Sequence, residues 1–222
     1  MIEFLDTIDK QWLLALNNDY PAFWDGLMVG FSEKVTWIPL YLSLLFVIFK
    51  KWKHQGWWIV IALVLTVVVA DQIASGVLKV AVQRLRPSHD PEMEGLVELV
   101  NNYRSGRYGF VSSHAANSFG LALLAALVFR NKIFSCGIFT WAIINAYSRI
   151  YLGVHYPGDI LGGIIVGVVT ALVMYWLLRK FRPQIFCENR SGNSQADIPI
   201  YVLGLSMLGL VIYSIWFFQE VG

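Results

Sequence analysis

Long apolar runs separated by short polar segments form the main pattern along this chain. At about 1.5 Å per residue, a helix of about 20 residues crosses the hydrocarbon core of a bilayer. Five runs approach or exceed that length, at about 56–83, 113–130, 133–152, 157–179 and 199–218. A sixth, at about 32–50, has a shorter strongly apolar part and contains Pro39. The pattern predicts an all-α, polytopic membrane helix bundle of about six transmembrane helices, formed as a single domain by residues 1–222.

The N-terminal segment has a different, amphipathic pattern. Between residues 3 and 18, apolar side chains recur at helical spacing while charged side chains occupy the other faces. The apolar positions are Leu5, Ile8, Trp12 and Leu16, and the charged positions are Asp6, Asp9 and Lys10. This pattern predicts an amphipathic helix that lies in the membrane interface.

Composition supports the membrane class and narrows the expected partners. Hydrophobic residues make up 57% of the chain and charged residues 14%, and the mean hydropathy is +0.57. These values differ strongly from those of soluble domains. The net charge is only +2, and no block of Lys and Arg with interleaved aromatic residues occurs, so nucleic acid is not an expected partner. The lipid bilayer is an expected partner, and the sequence predicts no particular oligomeric state.

Basic residues follow the first, third and fifth predicted spans and set the predicted orientation. They are Lys50, Lys51 and Lys53, then Arg130 and Lys132, and finally Arg179, Lys180 and Arg182. By the positive-inside rule, these three loops are cytoplasmic. The loop 84–112 and the turn near 153–157 then lie on the outer side of a cytoplasmic (inner) membrane.

Two cations stand near the end of the second predicted span. Lys79 and Arg86 are seven residues apart, which would place them on one helix face, and Pro87 directs the chain away just afterwards. Such a pair suits two oxygens of one phosphate, with Arg86 forming a bidentate fork. The alternative is that both long side chains extend towards the lipid headgroups. Asp71, two turns before Lys79, either pairs with it or serves only the fold.

A second polar motif, Val111-Ser112-Ser113-His114, directly precedes an apolar run. Serine is a favoured N-cap residue, and a helix N-terminus offers free backbone N–H groups to an anion such as phosphate. His114, in the first turn, would face whatever binds there. Taken alone, the serines are better explained as simple helix caps.

The third motif joins the fourth and fifth spans. His155 and Asp159 are four residues apart, and Pro157-Gly158 between them favours a tight turn. Asp159 could then accept a hydrogen bond from one ring nitrogen of His155, which leaves the other nitrogen unprotonated, oriented and nucleophilic. Arg149 would add a third cation. The alternative is an interfacial turn with an incidental ion pair.

The three motifs closely resemble the signature of the type 2 phosphatidic acid phosphatase (PAP2) family. In chain order they are Lys79-x6-Arg86-Pro87, Ser112-Ser113-His114 and Ser148-Arg149-x5-His155-x3-Asp159. These motifs occupy residues 79–159. One departure is visible, because the family's usual Pro-Ser-Gly-His sequence has Val111 and Ser113 here. We expect these two changes to affect rate or substrate choice and not the type of reaction.

The resemblance implies a phosphatase that needs no metal and no other cofactor. His155 would attack phosphorus and form a phosphohistidine, while Asp159 orients His155 and stabilises its positive charge. His114 would protonate the departing oxygen and then activate the water that hydrolyses the intermediate. The phosphate-binding residues implied by the resemblance are Lys79, Arg86, Ser112, Ser113 and Arg149.

The resemblance also implies a membrane lipid phosphate as substrate, hydrolysed on the non-cytoplasmic face. Small bacterial members of the family include undecaprenyl diphosphate phosphatases and lipid A phosphatases, and undecaprenyl diphosphate, the more widespread role, is the preferred prediction. Lipid A, phosphatidate and phosphatidylglycerol phosphate are alternatives. Two other functions stay open: phosphate transfer from one lipid to another, and a binding or transport protein whose cations only capture phosphate.

Overall fold

A computed structural model describes residues 2–18, 20–187 and 197–221, and these residues form an all-α fold. Apart from one isolated antiparallel bridge between Leu85 and Tyr108, no β-structure occurs within these ranges. The helices in chain order are α1 (Ile2–Leu16), α2 (Ala22–Ser32), α3 (Ile38–Trp52), α4 (Gly56–Asp71), α5 (Lys79–Val82), α6 (Ser113–Phe129), α7 (Lys132–Tyr151), α8 (Pro157–Phe181), α9 (Gln184–Cys187) and α10 (Ile198–Val221).

The apolar stretches have the length and hydropathy of membrane-spanning helices. Val35–Val82, Pro157–Phe181 and Ile198–Trp216 are long and apolar enough to cross a bilayer, and Ser113–Phe129 is a shorter apolar helix. The first stretch contains two of the expected spans, since Lys53–Gln55 interrupts it between α3 and α4. The predicted all-α membrane bundle is therefore confirmed.

The first span begins slightly later than predicted, and a helix that was not predicted precedes it. Where a span was expected over about 32–50, a single turn of 3₁₀ helix at Val35–Trp37 leads into α3, and α2 ends just before it at Ser32. Pro39 lies in the first turn of α3, where its missing N–H removes no intrahelical hydrogen bond. Helix α2 packs against α10 and α7, so these tertiary contacts stabilise a segment of only 11 residues.

The second span has an irregular end. Helix α4 continues through a π-helical segment, Gln72–Leu78, into α5, so that Gly56–Val82 is continuous. The helix ends at Gln83, which adopts a left-handed conformation (φ 51°) and donates its N–H to the carbonyl of Lys79. Arg86 follows in extended backbone (φ −73°, ψ 156°). The prediction that Lys79 and Arg86 share one helix face is therefore wrong, because the helix stops between them.

Helices α6 and α8 make the closest helix–helix contact that positions the motifs. A Cβ on Gly167 would lie 2.3 Å from the carbonyl oxygen of Ala116, and one on Gly163 would lie 2.4 Å from that of Ser112. Small residues allow the two backbones to approach closely, as in many membrane helix pairs. The contact holds the N-terminus of α6 beside the N-terminus of α8.

Many large apolar side chains on the outside of the bundle are exposed, as expected for a lipid-facing surface. Leu161 and Ile165 on α8 are 61% and 64% exposed, and Ile61 on α4 is 44% exposed. The inner faces are closed by buried aromatic side chains such as Trp37, Phe134 and Trp141. Exposed apolar and buried aromatic faces together agree with a bundle immersed in lipid.

Helix α1 has the predicted amphipathic character. Leu5 and Trp12 are 59% and 61% exposed, whereas Leu13 is fully buried against the bundle. The charged residues Asp6, Asp9 and Lys10 face protein partners and form ion pairs described below. The interfacial position of α1 stays a prediction.

Candidate active site

Four parts of the chain meet at one end of the bundle and carry the three sequence motifs. They are the end of α5 with the loop that follows, the N-terminus of α6, the C-terminal part of α7, and the turn into α8. One cavity of about 620 Å³ collects most of the predicted residues in its lining: Lys79, Arg86, Ser113, His114, Arg149 and His155. Asp159 and Ser112 lie behind this lining and are fully buried.

His155 is held between an anion and a cation. Its Nδ1 lies 3.2 Å from Oδ2 of Asp159, and its Nε2 lies 2.8 Å from Nη1 of Arg86. Since the guanidinium only donates hydrogen bonds, Nε2 must accept and Nδ1 must carry the proton given to Asp159. Burial, reinforced by the charges of Arg86, Arg149 and Lys79, lowers the pKa of His155 well below its ordinary value. The ring is therefore neutral at neutral pH, with the lone pair of Nε2 on the cationic side.

The turn between α7 and α8 explains this geometry. Gly153 ends α7 with a positive φ of 68°, and a Cβ there would lie 2.7 Å from the carbonyl oxygen of Glu98, so the position requires glycine. Pro157 then begins α8, and Asp159 in its first turn accepts the N–H of Tyr156 at 3.1 Å. The carboxylate therefore caps the helix and binds His155 with the same oxygen.

Arg86 is fixed by main-chain acceptors. Its Nε lies 3.0 Å from the carbonyl oxygen of Tyr108 and its Nη1 2.9 Å from that of Val154. Burial and the nearby charge of Arg149 lower the pKa of Arg86 to about 10, so it keeps its charge at neutral pH. The arginine reaches the site because the loop folds back through the bridge between Leu85 and Tyr108.

Lys79 and Arg149 complete a group of three cations. Nζ of Lys79 lies 2.7 Å from Oγ of Ser113 and 3.3 Å from Oγ of Ser75. Arg149, 3% exposed, donates to Ser32 on α2 and lies over the ring of Tyr103 at 5.7 Å. Asp71 accepts a hydrogen bond from Asn117 at 3.2 Å and forms no ion pair with Lys79, so of the two alternatives for Asp71 the structure favours a role in the fold.

The charge of these three cations is left largely uncompensated. Within the described ranges, Lys79, Arg86 and Arg149 bond to hydroxyl groups, carbonyl oxygens and His155, and none of the three forms an ion pair with a carboxylate. The Asp159 carboxylate lies on the far side of His155 from Arg86. The cavity therefore offers several positive charges to a small, doubly charged anion, for which guanidinium and ammonium groups are the usual partners.

The two serines of the second motif have different surroundings. Ser112 accepts the N–H of Ala115 at 3.4 Å and donates its own N–H to the carbonyl of Asp159 at 2.9 Å. It therefore caps α6 and ties that helix to α8, and the geometry favours this structural role over direct phosphate contact. Ser113 and His114, in contrast, line the cavity, and Ser113 binds Lys79.

An acidic network next to the site was not predicted from the sequence. Nη1 of Arg84 lies 2.6 Å from Oδ2 of Asp9 and 3.3 Å from Oδ1 of Asp159, and its Nη2 lies 2.8 Å from Oδ1 of Asp6. Burial alone would lower the pKa of Arg84, but the carboxylates of Asp159 and Asp9 raise it above its ordinary value. The available signals were an arginine between the two cations of the first motif and two acids one turn apart on α1.

The cavity continues from the cations into an apolar groove. Beyond Ser75 and Asp71 it is lined by apolar side chains of α3 and α4, among them Leu44, Ile48, Val60 and Val64. Along the continuous helix from α4 to α5 the lining extends from Val60 to Lys79, roughly 28 Å at the rise of an α-helix. A charged end and a long apolar body match the two parts of a lipid phosphate.

Among residues 2–18, 20–187 and 197–221, no group of three or more His, Cys, Asp and Glu side chains could hold a metal ion.

A membrane helix bundle with a buried histidine–carboxylate pair and three cations around one cavity has the features of an integral-membrane lipid phosphatase. Comparison with known proteins agrees with this class. The chain matches the PAP2 superfamily over residues 55–183 and belongs to that superfamily.

Among similar proteins are two bacterial lipid A 4'-phosphatases. The Bacteroides thetaiotaomicron protein is 41% identical over 97% of this chain and 99% of its own length. The Porphyromonas gingivalis protein is 37% identical over 95% of this chain and 91% of its own length. An undecaprenyl-diphosphatase of Sulfolobus acidocaldarius is 30% identical over 68% of this chain and 69% of its own. No solved structure matches the chain significantly. The protein is therefore a PAP2-type lipid phosphatase.

Proposed function

We propose that this protein removes a phosphate from lipid A by way of a phosphohistidine at His155. The observation that carries the mechanism is the position of His155, whose unprotonated Nε2 lies at the edge of a cavity with three uncompensated cations. The observation that favours lipid A is the similarity to two lipid A 4'-phosphatases over almost the entire chain.

In the first step, Arg86 exchanges its hydrogen bond to Nε2 of His155 for one to a phosphate oxygen, the freed Nε2 attacks phosphorus, and the bond from phosphorus to the sugar oxygen breaks. The departing oxygen takes a proton from His114, while Asp159 stabilises the positive charge that forms on the His155 ring. In the second step, water attacks the phosphohistidine, His114 accepts its proton, and the P–N bond breaks to release inorganic phosphate. Lys79, Arg86 and Arg149 hold the non-bridging oxygens in both steps.

The family resemblance in the sequence favoured undecaprenyl diphosphate as the substrate, and we now propose lipid A in its place. The undecaprenyl-diphosphatase relative covers about two thirds of the chain at lower identity, whereas the lipid A 4'-phosphatases cover nearly all of it. The apolar groove along α3 and α4 suits acyl chains as well as a polyprenyl chain and does not favour either. The full-length similarity therefore supports lipid A as the proposed substrate.

We place the site on the periplasmic face of the inner membrane. Basic residues lie near the α3–α4 connection, the α6–α7 connection and the end of α8, and the cavity cations lie at the opposite ends of these helices. Under the positive-inside rule, the basic ends are cytoplasmic. The phosphate then enters from outside while the acyl chains stay in lipid.

The test is phosphate release by the detergent-purified protein from lipid A, undecaprenyl diphosphate, phosphatidate and phosphatidylglycerol phosphate, with EDTA present throughout. We expect release chiefly from lipid A, loss of release in both His155→Ala and His114→Ala, and labelled phosphoenzyme in the quenched wild-type protein but not in His155→Ala. Release from another lipid alone would overturn the substrate, and undiminished release by His155→Ala would overturn the mechanism. Appearance of a newly phosphorylated lipid would indicate transfer to an acceptor other than water.

A further inference from the structure

Arg84 connects the N-terminal helix to the carboxylate behind His155. It is held by Asp6 and Asp9 of α1 and lies over the ring of Tyr156 at 4.1 Å, and from there it donates to Oδ1 of Asp159. The other oxygen, Oδ2, accepts hydrogen bonds from Nδ1–H of His155 and from the backbone N–H of Tyr156. Both carboxylate oxygens therefore have fixed partners, and within the part of the chain that the structure describes Oδ1 is held by Arg84 alone.

Asp9 also contacts the backbone that carries Asp159. Its Oδ1 accepts the N–H of Gly158 at 2.7 Å, while its Oδ2 accepts from Arg84. A Cβ on Gly158 would lie 2.6 Å from Oδ2 of Asp9, so a larger side chain there would displace the Asp9 carboxylate. One side chain of α1 thus fixes both the cation beside Asp159 and the first turn of α8.

The charges in this network suit a carboxylate that must remain ionised. Asp159 is fully buried, and a buried carboxylate needs a cation or several hydrogen bonds to keep its charge. Arg84 supplies that cation. Because Asp6 and Asp9 share the charge of Arg84, it does not neutralise Asp159 completely, and negative charge stays available to the His155 ring.

We propose that Arg84 and Asp9 are positioning residues for phosphoryl transfer. They fix the Asp159 carboxylate so that it orients His155 and stabilises the positive ring of the phosphoenzyme. Helix α1 is then part of the active-site architecture as well as an amphipathic segment. This inference rests on the proposed phosphohistidine mechanism but not on the identity of the lipid.

The test measures kcat and KM of variants on the lipid phosphate that the wild-type protein hydrolyses. Arg84→Ala should lower kcat about 100-fold and Asp9→Asn about tenfold, the range found when a side chain that supports a reacting group is removed. KM should stay within about threefold, because Arg84 and Asp9 do not line the cavity. Arg84→Lys, which keeps the charge, should recover part of kcat. If Arg84→Ala fails to fold, Arg84→Lys and Asp9→Asn decide the question.

The matched control is Lys10→Met. Lys10 ties α1 to the neighbouring loop through Glu92 at 2.7 Å and Asp90 at 3.5 Å. It also pairs with Oδ2 of Asp6 at 2.8 Å, whereas Arg84 binds Oδ1 of Asp6, and Lys10 makes no contact with Arg84, Asp159 or Gly158. Its loss should lower thermal stability and leave kcat near that of the wild-type protein. An equal fall of kcat in Lys10→Met and Arg84→Ala would mean that docking of α1 alone matters, and it would overturn the positioning role.

The kinetics of these variants separate the positioning role of Arg84 and Asp9 from the phosphohistidine mechanism. If His155→Ala is inactive while Arg84→Ala and Asp9→Asn retain wild-type kcat, the phosphohistidine mechanism stands and the positioning role is wrong. A change confined to KM would also contradict it, since a residue behind the nucleophile should affect the chemical step. Activity in His155→Ala would remove the basis of both.

Discussion

Nη1 of Arg86 lies 2.8 Å from Nε2 of His155, on the side of the ring opposite to the carboxylate of Asp159. The same guanidinium is fixed by the carbonyl oxygens of Tyr108 and Val154, two neutral acceptors. Its position is therefore set by the main chain, while its charge remains available. Because Arg86 is held by carbonyl oxygens and not by a carboxylate, no acidic side chain has to move away when a phosphate binds beside Nε2.

Arg86→Lys should therefore be poorly tolerated although it keeps the charge. A lysine has a single nitrogen and cannot reach both carbonyl oxygens and a phosphate oxygen together, so we expect kcat/KM to fall about 100-fold, as for loss of one preorganised donor. Steady-state kinetics in detergent checks this. Arg107→Lys is the control, because Arg107 is exposed in the same loop and outside the cavity lining. Similar losses in both variants would show that the loop as a whole, and not Arg86, is sensitive.

The stability of the protein should depend on pH through His155. Its pKa in the folded protein is lowered by burial first and by the neighbouring cations second, so below about pH 6.5 the unfolded chain binds a proton that the folded one does not. The contribution of His155 to stability is then fully present above that pH. Below it, the free energy of unfolding falls as the pH decreases, by at most about 1.4 kcal/mol per pH unit.

Thermal unfolding in detergent at pH 7.5 and pH 5.5 measures this effect. The wild-type protein should unfold at a lower temperature at pH 5.5, and His155→Gln, which cannot take up the proton, should lose less between the two conditions. The same loss in both proteins would assign the pH dependence to other groups.

Much of the fold could be predicted from the sequence because membrane helices depend on length and hydropathy alone. The predicted bounds of the later spans agree closely with α6, α7 and α8. Helix α2 was missed because it has only 11 residues, includes Asp25 and is stabilised by packing on α10 and α7. The end of α5 was missed because Gln83 takes a left-handed conformation without a glycine to signal it.

The candidate site could be predicted in part for a similar reason. Lys79, His114 and His155 are polar residues in motifs flanked by apolar runs, where such side chains are costly and indicate function. Asp9 and Arg84 could not be found in this way, because the contact between them spans 75 residues and depends on how α1 docks. Their types are ordinary for an amphipathic helix and a basic loop, so only the tertiary structure reveals the connection to Asp159.

Ser112 and Ser113 should respond differently to the same substitution. Ser112→Ala removes an N-cap and should cost about 1 kcal/mol of stability. Ser113→Ala removes an oxygen that holds Lys79 at 2.7 Å, so the ammonium group loses a fixed position and KM should rise about threefold to tenfold. Thermal unfolding and kinetics on both variants distinguish these effects. If Ser113→Ala changes only stability, its hydroxyl does not assist Lys79 in substrate binding.

The apolar groove along α3 and α4 should determine the response to chain length. Val64 lines this groove, and Val64→Trp would fill part of the space available to a lipid tail. Leu161→Trp adds a similar ring on the outer face of α8, where Leu161 is 61% exposed and outside the groove.

We expect Val64→Trp to lower kcat/KM for a long-chain lipid phosphate at least about tenfold, in line with the free-energy cost of overpacking a filled site. A short-chain phosphate ester, which reaches only the cations, should be hydrolysed by Val64→Trp and Leu161→Trp at similar rates. An equal loss on both substrates in Val64→Trp would mean that the added ring disturbs the catalytic residues and that the tail lies elsewhere.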